Sequence, residues 1–333
     1  MIKAAKPKRF RSSDSLTLAN KPAENASKIA SNQRLSLFRK NITRLLMSAP
    51  AIIWLVIFAY IPMFGIVIAF QDYKFDKGFF GSAWVGFQNF AYLFGTDIAL
   101  RITRNTLMMN SIFIVTSTVA SLLVALLLYR IQRSTMTRFY QSVMFFPYFC
   151  SMVIVGVFVY AFLGAEGVVN HLFVQTGVAT ISWYRSPEYW PYILTVVNLW
   201  KGVGFWSIIY FAGILGISPD IFEAAEVDGA NGWKQSFYIT LPLLSPIIII
   251  NVLLMIGKIF NADFGLFFNV TRDTPLLYPT TDVIDTFVFR ALRSTGQVAQ
   301  AAAAAFYQSV IGFMLVLVSN WVVRRIDPEK SLF

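Results

Sequence analysis

The chain has 333 residues, of which 56% are hydrophobic and 14% are charged, and its formal net charge is +11. Soluble domains usually contain about 25% charged residues, so this composition indicates a membrane protein. One Cys and one His exclude an intrachain disulfide and cannot supply a four-ligand metal site, and the sequence holds no P-loop, no G-x-S-x-G elbow and no dinucleotide fingerprint.

The N-terminal segment is polar and basic. Residues 1–33 show little hydrophobic periodicity and no evident cleavable signal peptide, so we expect a disordered basic tail. In residues 34–48, apolar residues recur at helical spacing opposite basic ones. This pattern predicts either an interfacial amphipathic helix or a cytoplasmic extension of the first span, and the sequence favours neither.

Six apolar runs follow, each about 20 residues long, which is the length that a helix needs to cross about 30 Å of hydrocarbon. They predict an all-α integral membrane protein with six transmembrane helices within residues 49–323. The predicted spans are Ala49–Phe70, Thr106–Tyr129, Ser142–Leu163, Tyr192–Ile214, Leu243–Asn261 and Ala304–Val323. The fifth has the weakest pattern, because it is short and carries Pro246 and Lys258.

The distribution of basic residues predicts the orientation. With a cytoplasmic N-terminus, the inside segments hold 18 Lys and Arg and the outside segments hold 8. The positive-inside rule therefore places both termini, including the tail at 324–333, in the cytoplasm. An anionic lipid surface accounts for the excess positive charge, so no nucleic-acid partner is expected.

Two of the outside connections are long, residues 71–105 and 262–303. The first contains WVGFQNF at 84–90, whose aromatic side chains suit the headgroup level. The second ends in the run Ala301–Ala305, which is expected to continue as helix into the last span because Ala is the best helix former.

An acidic segment interrupts the apolar pattern before the fifth span. Ser218 can cap a helix that begins at Pro219 and ends near Val227. Gly229 then supplies a turn, and Asn231 can cap a second short helix. The segment 218–242 is thus predicted to be a helical hairpin below the bilayer.

The residues alone leave the role of this hairpin open. It is either a loop whose charged residues keep it in solvent without a further role, or a docking element that presents Trp233 and Phe237, four residues apart, to a partner.

The stretch EAAEVDGANGWKQSFYITLP, residues 223–242, resembles the EAA loop of permease subunits in bacterial ATP-binding-cassette (ABC) importers. YIPMFGIVIAF, WVGFQNF and WKGVGFWSIIYFAGILGISPDIFEAA, at 60–70, 84–90 and 200–225, resemble the carbohydrate-uptake branch for oligosaccharides and polysaccharide fragments. The resemblance implies a MetI-like permease fold in the bacterial inner membrane, and an acidic sugar of the alginate type is one candidate cargo.

The resemblance also implies partners and coupling residues. In this family the EAA loop sits in a cleft of a separate ATPase, so ATP and Mg²⁺ would be used by that partner and no cofactor would be bound by this chain. The implied assembly holds a second homologous permease, two ATPase subunits and an external solute-binding protein. The residues carried over for coupling are Glu223, Ala224, Ala225, Asp228, Gly229, Ala230 and Pro242.

Polar residues within the spans are candidates for the substrate path, because a Lys at mid-helix costs about 2.5–3.5 kcal/mol to insert and must face a cavity or snorkel. Amide and ammonium donors suit sugar hydroxyls and carboxylates, and Trp can stack on sugar rings. The candidates are Asn198, Trp200, Lys201, Asn251, Lys258 and Asn261. Spacing places the last three on one helical face. Trp near span ends also serves as an interface anchor, and Asn within spans also bonds neighbouring helices.

Other functions remain open at this stage. An importer of amino acids or peptides would use the same coupling loop, and a stand-alone channel could use the hairpin to dock a signalling partner. A membrane enzyme is disfavoured, because the spans show no paired acids and no metal-ligand cluster.

Overall fold

The computed structural model describes residues 41–42, 44–131 and 136–326, and the side chain of residue 326 is outside that description. The predicted basic tail at 1–33 and residues 327–333 of the predicted C-terminal tail lie outside the described residues. Of the predicted segment 34–48, only 41–42 and 44–48 are described. The chain divides into two units, Met1–Gly65 and Ile66–Phe333.

The first unit contains most of the first candidate span, α1 (Arg44–Phe70). Residues 44–48 are helical and enter the span without a break. A π turn at Val56–Tyr60 precedes Pro62, whose missing N–H and ring disturb the ordinary hydrogen-bond ladder. The helix then tightens to 3₁₀ geometry at Phe64–Phe70.

The second unit consists mainly of helices, with one antiparallel pair of two-residue strands, β1 (Gln71–Asp72) and β2 (Ala83–Trp84), in its described part. Its helices are α2 (Gly78–Gly81), α3 (Gln88–Phe94), α4 (Asp97–Arg130), α5 (Met136–Phe145), α6 (Met152–Leu163), α7 (Val168–Gln175), α8 (Trp190–Leu215), α9 (Pro219–Val227), α10 (Gly232–Ile256), α11 (Tyr278–Thr281), α12 (Ile284–Arg293) and α13 (Val298–Ile326).

The prediction of six membrane-spanning helices is confirmed. Six helices in the described part of the chain are long and apolar enough to cross a bilayer. They are Arg44–Phe70, Asp97–Arg130, Met152–Gln175, Pro187–Leu215, Gly232–Ile256 and Val298–Arg325. The last one includes the Ala run, as expected from helix propensity.

The predicted third span, Ser142–Leu163, is wrong at its start. The chain leaves α5 at Phe145 and forms a 3₁₀ turn, Phe146–Phe149, because Pro147 cannot donate a backbone hydrogen bond. Ser151 then caps a new helix by accepting a hydrogen bond from the Ile154 amide at 3.4 Å. The span therefore begins at Met152.

The predicted fifth span, Leu243–Asn261, is wrong at both ends. Helix α10 already begins at Gly232 and passes through a π turn, Ser236–Thr240, just before Pro242. Its regular part ends at Ile256, and i to i−3 hydrogen bonds follow, from Lys258 N to Met255 O and from Asn261 N to Lys258 O. Lys258 and Asn261 therefore do not share a helical face with Asn251.

The core forms where α4 packs against α8. One buried cluster joins Met109 and Phe113 of α4 to Trp190 and Leu194 of α8. A second cluster, nearer the C-terminal ends of both helices, joins Leu126 of α4 to residues of α8 and α10. Helix α4 also takes part in a third cluster with α3, α12 and α13.

The box WVGFQNF docks α3 within the second unit. Phe90 is buried against the rings of Phe70 and Phe306, with centroid distances of 5.4 and 5.9 Å. Asn89 Nδ2 donates to the carbonyls of Ala69 at 2.9 Å and Gln71 at 3.0 Å. The box therefore joins α3 to residues 69–71, at the end of the first span.

Candidate functional site

The acidic segment forms the predicted hairpin, and Gly229 is its turning point. Helix α9 begins at Pro219 and ends at Val227, as predicted, although the Ser218 side chain makes no capping hydrogen bond. Gly229 has φ = +77°. The amide of Ala230 donates to Ala225 O at 2.8 Å and that of Gly229 donates to Glu226 O at 3.0 Å. These two bonds form a Schellman motif, which requires the left-handed residue that Gly supplies.

The second arm of the hairpin is the first part of α10. Asn231 caps it as predicted, because its Oδ1 accepts a hydrogen bond from Lys234 N at 2.9 Å. The sequence predicted a short second helix. Instead, the helix continues into the fifth span. A displacement of the hairpin therefore acts directly on a membrane-spanning helix.

The predicted coupling residues are largely on the free surface of the hairpin. Six of them are exposed or half-buried residues of α9 and its turn, and Pro242 is exposed on α10; they are Glu223, Ala224, Ala225, Asp228, Gly229, Ala230 and Pro242. Apolar groups accompany them, since Val227 is 89% exposed and Tyr238 is 80% exposed. This mixture of acids, small residues and exposed apolar groups is suited to docking in a partner's groove.

Sequence reasoning missed the residues that hold the hairpin to α4. Phe222 is buried, and its ring centroid lies 5.4 Å from that of Tyr129. Arg130 Cζ lies 4.3 Å from the ring centroid of Trp233. An aromatic residue followed by Arg at the end of a span was the available signal, and only the fold shows their partners.

A polar cavity of about 220 Å³ lies between α4, α8 and the irregular chain after α10. It brings together three of the predicted path residues, Asn198, Lys258 and Asn261. The sequence did not indicate the remaining lining residues: Asn110, Phe113, Ile114, Ser117, Trp206, Met255, Ile259 and Asp263. Lys258 is exposed and forms no ion pair with any residue that the structure describes.

The wall of this cavity is fixed by side chains of three other helices. Asn110 Nδ2 donates to Ile259 O at 2.7 Å, and Gln308 Nε2 donates to Phe260 O at 2.6 Å. Asp285 Oδ2 accepts a hydrogen bond from the Ala262 amide at 2.8 Å. These bonds satisfy backbone groups that the end of α10 leaves free, so irregular chain can line a cavity at this depth.

Asp285 lies outside the six candidate spans. Its burial raises the pKa of the carboxyl above its usual value of 3.8, although hydrogen bonds from Ala262 and Gln308 favour the charged form.

The other three predicted path residues lie elsewhere. Lys201 Nζ donates to the carbonyls of Tyr148 at 2.8 Å and Cys150 at 2.6 Å. It thus supplies hydrogen bonds to backbone groups where the helix is interrupted before α6. Trp200 lines a separate apolar cavity of about 790 Å³ between α6 and α8. Asn251 faces the buried hydroxyl of Tyr210, next to Thr118 of α4.

Comparison with known proteins identifies the family. The family of the inner membrane component of binding-protein-dependent transport systems matches residues 117–330, which is more than half of the chain. The chain belongs to this family of transport permeases.

The permease is similar to two proteins of Bacillus subtilis (strain 168). It is 32% identical to the polygalacturonan/rhamnogalacturonan transport system permease protein YteP, over 93% of this chain and 98% of that protein. It is 30% identical to protein LplB, over 85% of this chain and 89% of that protein. These matches confirm the predicted resemblance to ABC importer permeases.

Solved structures show the same fold. One is the crystal structure of a bacterial ABC transporter involved in the import of the acidic polysaccharide alginate. The permease matches a chain of it with a TM-score of 0.78 and 32% identity, over 87% of this chain and 99% of that one. A second, of an alginate ABC transporter in complex with an alginate pentasaccharide-bound periplasmic protein, matches with a TM-score of 0.77 and 32% identity, over 86% and 97% of the two chains.

The permease is therefore a multi-pass protein of the inner membrane, with the predicted all-α, MetI-like fold. Its hairpin and its polar cavity are the candidate functional sites in the described part of the chain.

Proposed function

We propose that the permease forms, together with a second homologous permease, the path through which oligosaccharides of acidic polysaccharides enter the cell. The polar cavity carries this proposal, because it gathers amides, an indole and the Lys258 ammonium, together with the Asp263 carboxylate, where α4, α8 and the chain after α10 meet. The names of the relatives support the sugar class, since YteP is described for polygalacturonan and the structural match for alginate.

The cavity has the properties of half a binding site. Its volume of about 220 Å³ is below the roughly 300–1,000 Å³ of complete small-molecule sites. One wall is open, and a second permease would complete it. Trp206 offers a face for a sugar ring, and Asn110, Asn198 and Asn261 offer amide groups for its hydroxyls.

Lys258 supports an anionic cargo. Lys258 lies two residues beyond the end of the fifth candidate span and lines the cavity, where its exposed ammonium can bind an anion. In the described part of the chain no carboxylate pairs with it. A uronate carboxylate would provide a charge-assisted hydrogen bond to this group.

The hairpin is proposed to link the path to ATP hydrolysis. ATP and Mg²⁺ would be bound by two partner ATPase subunits, whose clefts would take the exposed face of α9. A solute-binding protein would deliver the sugar to the outer loops, with both termini of the permease in the cytoplasm. The match to an alginate transporter with its bound periplasmic protein supports this assembly.

Reconstitution tests the proposal. The permease is purified with the subunits that accompany it, placed in proteoliposomes with its binding protein, and screened for sugar-stimulated ATP hydrolysis and uptake. We expect stimulation by oligogalacturonate or oligoalginate. Stimulation by peptides or amino acids alone would contradict the carbohydrate assignment, and absence of any associated ATPase would contradict the ABC importer assignment.

The variant Lys258→Gln tests the role of the ammonium. We expect the KM for uptake of an acidic oligosaccharide to rise about tenfold, the scale of a lost hydrogen bond to a charged group. Uptake of a neutral oligosaccharide carried by the same transporter should change little. Lys77→Gln, at an exposed lysine of the outer loop, is the matched control. Equal loss with both sugars would contradict carboxylate recognition by Lys258.

A further inference from the structure

We propose that α4 carries displacements of the cytoplasmic hairpin to the outer face of the permease, and that Tyr129 and Arg130 are the positioning residues that attach it to the hairpin. This inference rests on the proposed coupling of the hairpin to an ATPase. It assigns a role to contacts that the hairpin's docking surface does not explain.

The first observation is the double contact between the end of α4 and the two arms of the hairpin. Tyr129 packs on Phe222 of α9, with 5.4 Å between the ring centroids. Arg130 stacks over Trp233 of α10, with 4.3 Å from Cζ to the ring centroid. Both arms thus contact two consecutive residues of one helix, so a displacement of the hairpin is expected to displace this end of α4.

Gly232 makes room for the second contact. A β-carbon at this position would lie 3.2 Å from Arg130 Nη2 and 3.5 Å from Cζ. The guanidinium therefore rests against the backbone of α10 as well as on the indole ring. Such a cation–π contact is favourable by about 0.5–1 kcal/mol at exposed sites.

The second observation is that α4 is the longest of the described candidate spans and lacks the residues at which helices most often kink. It has 34 residues, corresponding to about 51 Å at 1.5 Å per residue, and contains neither Gly nor Pro. Sharp kinks in helices arise at Pro, at Gly or at π turns. Each of the other five candidate spans contains at least one of these features.

The third observation is that α4 touches the polar cavity in the middle of its length. Asn110 Nδ2 donates a hydrogen bond to Ile259 O at 2.7 Å, and Ser117 Oγ accepts a hydrogen bond from Asn198 Nδ2 at 3.1 Å. Both pairs line the cavity. A movement of α4 along its axis would therefore change the cavity that is proposed to hold the sugar.

The fourth observation is a buried attachment at the other end of α4. Arg101 Nη2 lies 3.0 Å from Asp282 Oδ2, and Asp282 is 1% exposed. Asn105 Nδ2 donates to the carbonyl of Asp282 at 3.1 Å, and Thr106 Oγ1 accepts a hydrogen bond from Ile284 N at 3.1 Å.

This outer attachment also includes Arg290. The guanidinium of Arg290 bridges Asp282 and Asp273, the second at 2.6 Å. Burial opposes the charge of Arg290, but the nearby carboxylates of Asp282 and Asp273 raise its pKa overall. The outer loop that holds these residues is thus joined to α4 by an ion pair between Arg101 and the buried carboxylate of Asp282.

Together these contacts make one rigid element with three points of attachment: the hairpin, the cavity and the outer loop. Coupling between distant sites needs an element that both sites bias. A displacement of the hairpin would reach the outer loop without bending of the intervening helix.

The first test removes the cation from the hairpin contact. In proteoliposomes that hold the complete transporter, Arg130→Gln should raise the ATP hydrolysed per sugar imported about twofold to fivefold, the range that matches the cation–π contact. Arg130→Lys, which keeps a cation over the ring, should restore most of the coupling. Arg138→Gln, at an exposed arginine of α5, is the matched control.

These outcomes decide between coupling and general damage. An unchanged ratio in Arg130→Gln, or an equal change in Arg138→Gln, would overturn the proposal. The amount of ATPase that copurifies with each variant is measured in parallel. A wild-type complex without ATPase or without sugar uptake would overturn the proposed function itself. If the wild type couples ATP hydrolysis to uptake and Arg130→Gln has the same ratio of ATP to sugar, only this inference is overturned.

The second test locks the contact. Tyr129→Cys and Phe222→Cys are combined in a Cys150→Ser background and joined with a bifunctional thiol reagent. Because α4 and the hairpin are proposed to move together, the cross-linked transporter should keep at least about half of its uptake rate. Loss of uptake that a reducible cross-linker restores on cleavage would show that the contact must open, and would overturn the proposal.

Discussion

At the scale of single residues, Gly229 is required for its backbone conformation and not for lack of space. Its φ of +77° is left-handed, yet a β-carbon there would meet no atom of the described chain within 4 Å apart from Gly229 and its immediate chain neighbours. A branched residue in this conformation is strained by about 1–2 kcal/mol, and the Schellman bonds to α9 would weaken.

The variant Gly229→Val should therefore reach the membrane in normal amounts but lose the coupling between ATP hydrolysis and uptake. The measurement is the rate of sugar uptake and of ATP hydrolysis in proteoliposomes. Gly177→Val is a suitable control, because Gly177 has φ = +72°, a β-carbon there would also meet no further atom of the described chain within 4 Å, and the residue lies in the loop between α7 and α8. Normal uptake by Gly229→Val would contradict the role given to the hairpin.

Asp285 gives the stability of the permease a specific dependence on pH. Burial raises its pKa above 3.8 in the folded chain, so folding favours the protonated form. The folded state then binds more protons than the unfolded state between the two pKa values. This group's contribution is full below pH 3.8 and is lost as the pH rises through the raised pKa.

The variant Asp285→Asn should remove this contribution to the pH dependence of stability. The midpoint of thermal unfolding in detergent, measured at several pH values above 4, should fall less with rising pH in the variant than in the wild type. Asp97→Asn, in the first turn of α4, is the control carboxylate. Identical slopes in wild type and Asp285→Asn would exclude Asp285 as the titrating group.

At the scale of elements, the crossing of α8 and α5 depends on Gly204. A β-carbon there would lie 1.9 Å from Met144 O, which is a backbone atom and cannot move independently. Lys201, one turn earlier on α8, holds the carbonyls of Tyr148 and Cys150 just after the same crossing. The close approach and the lysine bonds therefore set the break that separates α5 from α6.

Gly204→Ala should force α8 away from α5 and destabilise the permease by about 1–3 kcal/mol, the usual range for overpacking. Gly202→Ala is the matched control on the same helix, because its nearest neighbour would be Trp206 Cδ1 at 3.8 Å. The readout is the yield of monodisperse protein and its Tm. Equal Tm values for the two variants would contradict the tight crossing.

At the scale of the whole molecule, the orientation in the membrane remains a prediction from charge. In a Cys150→Ser background, a single cysteine at Gly177 should react with a membrane-impermeant thiol reagent in spheroplasts. A single cysteine at Arg138 should react only after permeabilisation. Both positions are exposed in the structure. The reverse labelling pattern would invert the topology and place the hairpin outside.

Sequence patterns located the six spans because the bilayer imposes length and hydrophobicity on each one locally. They misplaced the start of the third span, where the 3₁₀ turn at Pro147 lies among apolar residues, and both ends of the fifth, because its helix already begins at Gly232, continues through Pro242 and ends at Ile256. Hydropathy does not distinguish a helix from a break when both lie among apolar side chains. The position of the break depends on hydrogen bonds from other helices, such as those of Lys201.

By itself the sequence determined the membrane class, the number of spans, the hairpin turn at Gly229 and the family resemblance, because each rests on local composition or on contiguous residues. Only the tertiary structure decided that Asn198, Lys258 and Asn261 share one cavity while Trp200, Lys201 and Asn251 do not. It also decided that α4 contacts the hairpin at one end and the loop that holds Asp282 at the other. Such contacts join residues far apart in the chain, and no periodicity records which helices become neighbours.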